Sequence, residues 1–489
     1  MKRWFAIVVL TASILATSCT PIGPNYSRPP APAPPAFKEQ PPEGFKTAQP
    51  SDSVLKGKWW EIYNDPVLNA LEEQISVSNQ NVRVLEAQFR EAKAAVQVAR
   101  SGLYPVLTGG ASATGSRSAA LSSAATGRTG STYSIPFTAS WEPDFWGNIR
   151  RGINANADVA QATFADLENA RLLFQSQLAE DYFQLHGIDG EMALLNRTVS
   201  SYQEYLTLTR NRFAGGVASD LDVAQAESQL DGAQSTLIDL GVQRAQLEHG
   251  IAILIGKPPS EFSVDPVALF NPPPPIPIGV PSELLQRRPD IAAAERQVAA
   301  ANEQIGIAMA AFYPTLTLGA SLGLESFSIA KFFTWPSRVW SVGPSLAETL
   351  FDAGRRRAIV AEQQAAYDAT VAQYRQTVLT AFQQVEDNIA ALRVLEQEAG
   401  KLQETIQAAD RALTVSTAQY KAGTTVYLTV ITEQATLLGA QVSAVQLLTR
   451  RMTASVGLVQ ALGGGWDASK LPPSSDLVAQ KHYQAAPVR

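Results

Sequence analysis

The sequence predicts a membrane protein of mixed α and β class, in which long antiparallel helices are joined to a small number of strands. Three observations predict this class. Two stretches, 149–214 and 355–421, contain no proline, and the second repeats apolar residues at steps of three and four. Four segments alternate apolar residues with small or polar ones. Landmarks of the first half of the chain recur in the second half.

Composition and charge exclude several classes of protein. The 489 residues include 45 acidic and 39 basic side chains, which gives a formal net charge of −6. Such a chain lacks the basic face that meets phosphates, so we expect no nucleic-acid partner. The single cysteine excludes an intramolecular disulfide and a cysteine-rich metal site, and three histidines argue against a histidine-based site. We therefore predict no metal and no cofactor.

The N-terminus has the layout of a secretory signal. Lys2 and Arg3 precede an apolar stretch that is shorter than the roughly 20 residues a spanning helix needs. Residues 15–19 (Leu-Ala-Thr-Ser-Cys) resemble a bacterial lipobox, so we predict removal of residues 1–18 and an acyl lipid, attached through diacylglycerol, on Cys19. The alternative is plain cleavage with an unused thiol. Thr20, in place of Asp, indicates the outer membrane by analogy with bacterial lipoproteins.

The chain reads as two repeats with extended segments around them. Residues 213–223 align with 420–430 at an offset of 207, and Tyr104-Pro105 aligns with Tyr313-Pro314 at an offset of 209. Each half reads helix, strand, strand, long helix, turn, helix. The predicted division is a signal peptide 1–18, a lipidated extended segment 19–65, a first repeat 66–256 with strands about 104–117 and 132–146, a linker 257–288, a second repeat 289–464 with strands about 313–325 and 338–352, and a tail 465–489.

The strand pattern and the helix pattern each have an alternative interpretation. Alternation with one apolar face is typical of a transmembrane barrel strand, but a half-buried sheet outside the membrane gives the same pattern. Aromatic residues at the strand ends, such as Tyr104, Trp141 and Trp340, favour the barrel because aromatic girdles mark membrane interfaces. The helices carry many charges and glutamines, so they are aqueous, and an ordinary coiled-coil rod is their alternative.

Four strands cannot close a barrel, and open sheet edges are not tolerated in lipid. Two copies would give eight strands, whose interior is filled by side chains, whereas three copies would give twelve and leave a lumen. Small residues on the inward face, among them Gly319, Ser321 and Gly343, suit an open lumen. We therefore predict a homotrimer with a 12-stranded barrel.

One motif matches a sequence pattern that is typical of enzymes with a catalytic serine. Residues 319–323 (Gly-Ala-Ser-Leu-Gly) fit the pattern of a nucleophile elbow, which needs a strand–turn–helix context and a later histidine. Here the motif lies inside an alternating strand, and the only later histidine is His482 in the tail. We predict that the protein is not an enzyme.

Several motifs taken together resemble the TolC-like outer membrane efflux proteins, in particular their lipoprotein branch, which includes NodT-like and OprM-like proteins. They cover nearly the whole mature chain: residues 23–26 (Gly-Pro-Asn-Tyr), Trp59-Trp60, Asp65-Pro66, 284–291, 308–314, 351–355 and 461–466. The resemblance implies a trimer whose strand barrel continues into a periplasmic helical barrel. It also implies an adaptor protein, a proton-driven inner-membrane pump and an exit duct for drugs or other small molecules. The proline-rich stretches at residues 20–50 and 272–281, which cross the helices, and the tail would form a belt around the helices.

The same resemblance assigns roles at the two helix–turn–helix tips. Leu428 falls where the lipoprotein branch has a gating leucine ring, and Tyr420 where a tyrosine joins the closing hydrogen-bond network. Family aspartates are replaced here by Thr429 and Thr432, and Asp222, with its neighbour Asp220, supplies the alternative acidic ring. The adaptor would dock at the turns, which contain Gly215, Gly216, Val217, Ala218, Ser219, Gly423, Thr424 and Thr425.

Plainer readings of these residues remain open. Asp220 could be a helix N-cap, and the charge of Asp222 could interact favourably with the helix dipole. Leu428 could be an ordinary residue of the apolar seam between paired helices. For the whole chain the alternatives are a structural coiled-coil lipoprotein, a type I secretion duct and a stand-alone diffusion porin. A porin does not need helices about 100 Å long or repeated tip turns.

Overall fold

The computed structural model describes residues 21–40, 42, 57–117, 119, 129–269, 271–278, 281 and 284–479. The predicted signal peptide and Cys19 lie outside the described residues. In chain order the helices are α1 (Pro66–Ser78), α2 (Gln80–Ser101), α3 (Asn148–Ala214), α4 (Asp220–Leu254), α5 (Leu284–Arg287), α6 (Pro289–Ala310), α7 (Arg355–Lys421), α8 (Tyr427–Ala461) and α9 (Ser474–Val478). The strands are β1 (Val106–Gly109), β2 (Ser112–Arg117), β3 (Thr129–Trp141), β4 (Thr315–Ser326) and β5 (Arg338–Ala347).

Two helical hairpins of equal size dominate the molecule. Helices α3 and α7 have 67 residues each, and their partners α4 and α8 have 35 each. At 1.5 Å per residue each long helix spans about 100 Å. The predicted order of helix, strand, strand, long helix, turn and helix is confirmed in both halves. No helix in the described ranges is both long enough and apolar enough to cross a bilayer.

The helical seams follow the predicted periodicity. Tyr374, Val378, Val385 and Ile389 of α7 are almost fully buried, as the steps of three and four require. On α8, Met452, Ser455 and Val459 are buried in the same way. The apolar stripe therefore faces a partner helix, and the charged residues of α7 remain outside.

All strands form one antiparallel sheet in the order β1–β3–β4–β5, and β2 also pairs with β3. The structure thus divides the predicted first strand into two pieces, whereas the pairing register is the same on both sides of the break. Pro136 lies opposite the break: its carbonyl accepts from the Gly110 amide at 3.0 Å, but it has no N–H to return. The sheet therefore makes the four predicted passes.

The strands end earlier than predicted at their helical end. β3 ends at Trp141 rather than near 146, and β5 ends at Ala347 rather than near 352. The reason is a capping turn. Asp144 accepts hydrogen bonds from the amides of Ile149 and Arg150, and Asp352 accepts from the amides of Gly354 and Arg356. Both halves use an aspartate to cap the long helix, and this ends the strand pattern.

The main apolar core lies where the extended segments cross the helices. Trp59 and Leu68 near the N-terminus, Ile276 of the linker and Trp466 of the tail are all buried. Trp59, Leu68 and Ile276 belong to one cluster with residues of α3, α6, α7 and α8. Burying one such aliphatic side chain contributes roughly 1.5–3 kcal/mol. The crossings are therefore held to the helices by burial of their apolar side chains, although the exact domain bounds remain predictions.

Candidate functional site

The sheet has two chemically different faces, and the pairing register aligns them across strands. Phe137, Leu322 and Trp340 lie in one row, and Thr138, Ser321 and Ser341 lie in the next row on the opposite face. On the polar face the hydroxyls of Ser321 and Ser341 are 2.8 Å apart. The apolar row stays open in the single chain, since Trp340 is 74% exposed and Leu322 62%. Such a sheet needs an apolar medium on one side and tolerates water on the other.

Within the ranges that the structure describes, both lateral edges of this sheet are unpaired. β1 and β2 pair only with β3, and β5 pairs only with β4. Every residue of β5 is exposed in the single chain. An unpaired edge presents a row of free N–H and C=O groups, which cannot remain open in lipid.

The first tip turn is closed by a capping box. Gly216 adopts a left-handed conformation with φ +74°, and the Val217 amide donates to the Arg212 carbonyl at 2.8 Å. Ser219 is the N-cap of α4: its hydroxyl accepts from the Asp222 amide, and the Asp222 carboxylate accepts from the Ser219 amide. The N-cap is therefore Ser219 and not Asp220. Asp220 is exposed at the first helical position.

The second tip turn has the same backbone but lacks the cap. Gly423 has φ +75°, and the Thr424 amide donates to the Gln419 carbonyl at 2.9 Å. The N-cap of α8 is Val426, which offers no side-chain acceptor. The hydroxyls of Thr425 and Thr429 lie 3.2 Å apart. The second tip thus begins its helix with fewer satisfied amides than the first.

Two leucines at equivalent positions project from the tips. Leu221 is 66% exposed and Leu428 54%, at the offset of 207 that relates the repeats. The buried seam near Leu428 is formed instead by Tyr427 and Val430. Within the single chain Leu428 is therefore not a seam residue. The Thr432 hydroxyl donates to the Leu428 carbonyl at 2.9 Å, so this threonine faces its own helix.

A tyrosine cluster joins the two hairpins at the tips. The rings of Tyr420 and Tyr427 lie 5.2 Å apart, and both side chains are buried. The guanidinium of Arg212 on α3 lies 4.6 Å from the Tyr420 ring and donates to the Lys421 carbonyl at 3.4 Å. Within the described part of the chain the buried Tyr420 hydroxyl has no hydrogen-bond partner. Burial, with Tyr420 nearby, raises the pKa of Tyr427 to about 12.

Sequence reasoning found Tyr420 in this cluster but not its neighbours. Tyr202 and Tyr205 of α3 also belong to it; Gln229 donates to the Tyr202 hydroxyl at 3.0 Å, and the Tyr205 hydroxyl lies 3.1 Å from that of Thr417. The available signal was a tyrosine pair close to the end of a long polar helix. Their partners lie on the other side of a turn or in the other repeat, so spacing alone does not connect them.

The start of the described chain lies at the junction of sheet and helices. The Ile22 amide donates to the Trp146 carbonyl at 3.0 Å, and a side chain at Gly147 would come within 2.6 Å of Pro21. Trp146 stacks on Tyr313 with ring centres 4.8 Å apart. Pro21, two residues after Cys19, is thus held at the predicted aromatic girdle.

Buried ion pairs hold the next residues of the N-terminal segment. Arg151 pairs with Glu303 at 2.9 Å and donates to the Pro24 carbonyl at 3.2 Å. Arg296 contacts Glu295, whose carboxylate accepts from the Tyr26 hydroxyl, and it reaches Asp158 at 3.4 Å. Burial raises the pKa of Asp158 to about 7, against the opposing effect of Arg296. These charges connect the segment to α3 and α6.

Comparisons with known proteins place this geometry in a family. The model of the family described as outer membrane efflux protein matches residues 71–257 and 280–464. The pyoverdine export outer membrane protein OpmQ of Pseudomonas aeruginosa is 32% identical over 439 residues, with coverage of 87% of this chain and 91% of OpmQ. The toluene efflux pump outer membrane protein TtgC of Pseudomonas putida is 30% identical over 484 residues, with coverage of 95% and 96%.

Solved structures agree with these sequence relatives. The outer-membrane channel OprN superimposes with a TM-score of 0.83 at 29% identity, covering 91% of this chain and 99% of OprN. The open state of the Neisseria gonorrhoeae MtrE outer membrane channel gives a TM-score of 0.77 at 25% identity, with coverage of 92% and 99%. The two-faced sheet and the long hairpins are thus those of an outer-membrane efflux channel, and the chain belongs to the outer membrane efflux protein family.

Proposed function

We propose that three copies of the chain close one 12-stranded barrel and form a passive exit duct for small molecules. The observation that carries this proposal is the sheet itself, which has two unpaired edges, one apolar face and one face of glycine, serine and threonine. Four passes from each of three copies leave a lumen, whereas eight strands would be filled by side chains. A face made mostly of small side chains suits the lumen.

The proposed duct receives its cargo from protein partners. The long helices project about 100 Å from the sheet, far enough to cross much of the periplasm. At their tips the turns expose apolar side chains, including Val217 at 67% and Val426 at 65%. We propose that the turns at 215–219 and 423–425 dock the hairpin of a periplasmic adaptor. A proton-driven inner-membrane pump, reached through that adaptor, would supply the energy.

The proposed gate lies at the same tips. Leu428 projects from the protomer, and three copies would form an apolar ring that excludes water when narrow. Asp220 is exposed at the tip of the first hairpin, whereas Asp222 is engaged in the capping box; we therefore assign the acidic ring first to Asp220. Thr429 and Thr432 have their hydroxyls in local contacts, so they would line the ring without charge.

We also propose that Cys19 carries the predicted acyl lipid. Support comes from the position of Pro21 beside Gly147, at the end of the strands where Trp146 and Tyr313 stack. A lipid attached two residues earlier would enter the membrane at that level without stretching the chain. Radiolabelled palmitate incorporation that disappears in Cys19→Ser tests the anchor.

The proposed cargo is small organic molecules. Two of the relatives are named for the export of pyoverdine and of toluene, which are very different compounds. Relatives of similar sequence thus serve different cargoes, so we assign specificity mainly to the pump. This argues against a type I secretion duct as the first reading, since that alternative exports protein.

The experiment that tests the proposal measures the mass and the bilayer conductance of the detergent-solubilised mature protein. We expect a particle of three protomers with small, mostly closed currents. A monomer without conductance would leave the sheet edges unclosed and would favour the structural rod. Large, permanently open currents would favour the diffusion porin. Deleting the cognate pump should abolish export while leaving the trimer intact.

A further inference from the structure

The connection between β4 and β5 is an ordered loop at the end of the sheet opposite the helices. It contains short 3₁₀ turns at Ile329–Lys331 and Trp335–Ser337. The Lys331 carbonyl accepts hydrogen bonds from the hydroxyls of Thr334 at 2.6 Å and Ser337 at 2.8 Å. These bonds fix the backbone that carries the side chains between them.

One side chain of this loop folds back onto the sheet and forms a cleft. Phe332 is only 6% exposed and, with Phe333 and Ile329, borders a cleft of about 430 Å³. The opposite wall includes Tyr133 and Ile135, with alanine residues 111 and 113. Tyr133 and Ile135 share the alternation of Phe137, so most of the cleft lies on the apolar face of the sheet. Its size falls within the roughly 300–1,000 Å³ of small-ligand pockets.

The surroundings of the cleft are more apolar than a surface in water would tolerate. Phe327, Ile329, Phe333 and Trp335 are each at least 68% exposed. A contiguous patch of this kind marks an interaction site or a membrane contact. In the membrane orientation of the proposed function the helices leave the sheet at its periplasmic end, which would put this loop at the level of the outer leaflet.

Two cations stand beside the apolar patch. The Arg338 guanidinium lies 3.9 Å from the centre of the Trp335 ring. Arg338 shares a cross-strand row with Leu324 and Ile135, so it is on the apolar face about 10 Å from the cleft wall. Lys331 immediately precedes Phe332. Among the described residues neither cation forms an ion pair. Glu325, the acid nearest to Lys331 in sequence, pairs with Ser134 on the polar face, and Glu348, the acid nearest to Arg338, follows β5 at the helical end of the sheet.

We propose that this cleft binds a phosphorylated, multiply acylated glycolipid of the outer leaflet. One acyl chain would lie between Phe332, Phe333 and Ile135, and a phosphate would contact Lys331 and Arg338. The charge favours this occupant over a neutral lipid, because two unpaired cations next to apolar surface complement an anionic headgroup on a chain. The inference rests on the membrane orientation of the proposed function. The other possible occupant, a second copy of the chain, is an outcome of the test.

Native mass spectrometry of the detergent-solubilised full-length protein tests the site. Diphosphoryl lipid A, monophosphoryl lipid A and phosphatidylethanolamine are titrated separately into the particle. We expect diphosphoryl lipid A to bind most tightly and phosphatidylethanolamine least. Lys331→Ala and Arg338→Ala should each weaken lipid A binding about fivefold, and Phe333→Ser should weaken all three lipids.

Matched controls come from the other end of the sheet. Arg357 and Phe351 are exposed there, and Arg357→Ala and Phe351→Ser should leave lipid A binding unchanged. The mass of the lipid-free particle reports the oligomer separately, so a failed trimer and a failed lipid site are distinguishable. Equal binding of the three lipids, or equal loss in Arg357→Ala, would overturn the proposal. Dissociation of the particle in Phe333→Ser would assign the cleft to a second copy.

Discussion

A single exposed leucine gives the most direct test of the proposed gate at the helix tips. Leu428→Ser replaces an apolar side chain that is 54% exposed and outside the seam of its own hairpin, so we expect the trimer to form normally. An apolar ring resists wetting, and three serines would hydrate it, so single-channel conductance should rise. Planar-bilayer recording of the purified protein measures the change. Val394→Ser, equally exposed on α7 far from the tip, should leave conductance unaltered. No change in Leu428→Ser would remove this residue from the gate.

The contact of Arg212 with Tyr420 connects the two hairpins, so its loss should favour opening. The contact is partly buried, and a cation–π interaction of this kind is worth roughly 1 kcal/mol, so Arg212→Ala should raise the open-to-closed ratio about fivefold. Tyr420→Phe keeps the ring and removes a buried hydroxyl that is unpaired within the described chain. Leaving such a group unsatisfied costs about 1–3 kcal/mol, so we expect it to meet an acceptor from a neighbouring copy in the closed state. Tyr420→Phe should then also open more often in the same recordings, and unaltered gating would limit Tyr420 to the ring contact.

At the scale of elements, the sequence allowed good prediction where one periodicity governs a long segment. The two proline-free stretches became helices Asn148–Ala214 and Arg355–Lys421, within one residue of the predicted bounds. The strand faces were predictable because β4 and β5 alternate cleanly. The break opposite Pro136 was not, since the missing N–H matters only after β1, β2 and β3 are paired. The contacts of the tyrosine cluster at the tips were not predictable for a similar reason, because Arg212 and Tyr420 meet only after both hairpins have packed.

The two tip turns differ in one element-level feature, the helix cap. Ser219 caps α4, and the equivalent position in the second repeat is Val426, which cannot. Val426→Ser should add an N-cap bond and stabilise the start of α8 by about 0.5–2 kcal/mol. Hydrogen exchange of the amides of residues 427–430 should slow, and the channel should open less often. Ser219→Ala is the matched control, and it should speed exchange at the start of α4. Slower exchange with unaltered opening would separate the cap from the gate.

For the whole molecule, the N-terminal segment joins parts that are distant in sequence. The carboxylate of Glu295 on α6 accepts from Tyr26, and the backbone amides of Lys38 and Glu39 donate to Glu386 on α7. Arg393 of α7 also pairs with Glu39. The segment therefore contacts α6 and, as far as Arg393, α7 of the second repeat, and it contacts α3 of the first repeat through Arg151. A membrane anchor at the start of this segment would hold the sheet and the belt around the helices at a fixed distance from each other.

The orientation of the sheet in the proposed barrel can be tested with two neighbouring positions on β5. Val342 is 73% exposed on the apolar face, and Gly343 is on the polar face with open space where a Cβ would lie. Val342→Arg places a charge near the middle of the strand, where it costs roughly 2–4 kcal/mol in lipid, so the variant should insert poorly into outer membranes. Gly343→Arg should insert normally, because its charge meets water in the lumen, but three arginines should reduce cation conductance. Membrane fractionation followed by bilayer recording separates the two effects. If Gly343→Arg inserted poorly and Val342→Arg inserted normally, the polar face rather than the apolar face would contact lipid. Equal insertion of both variants would mean that neither face meets lipid.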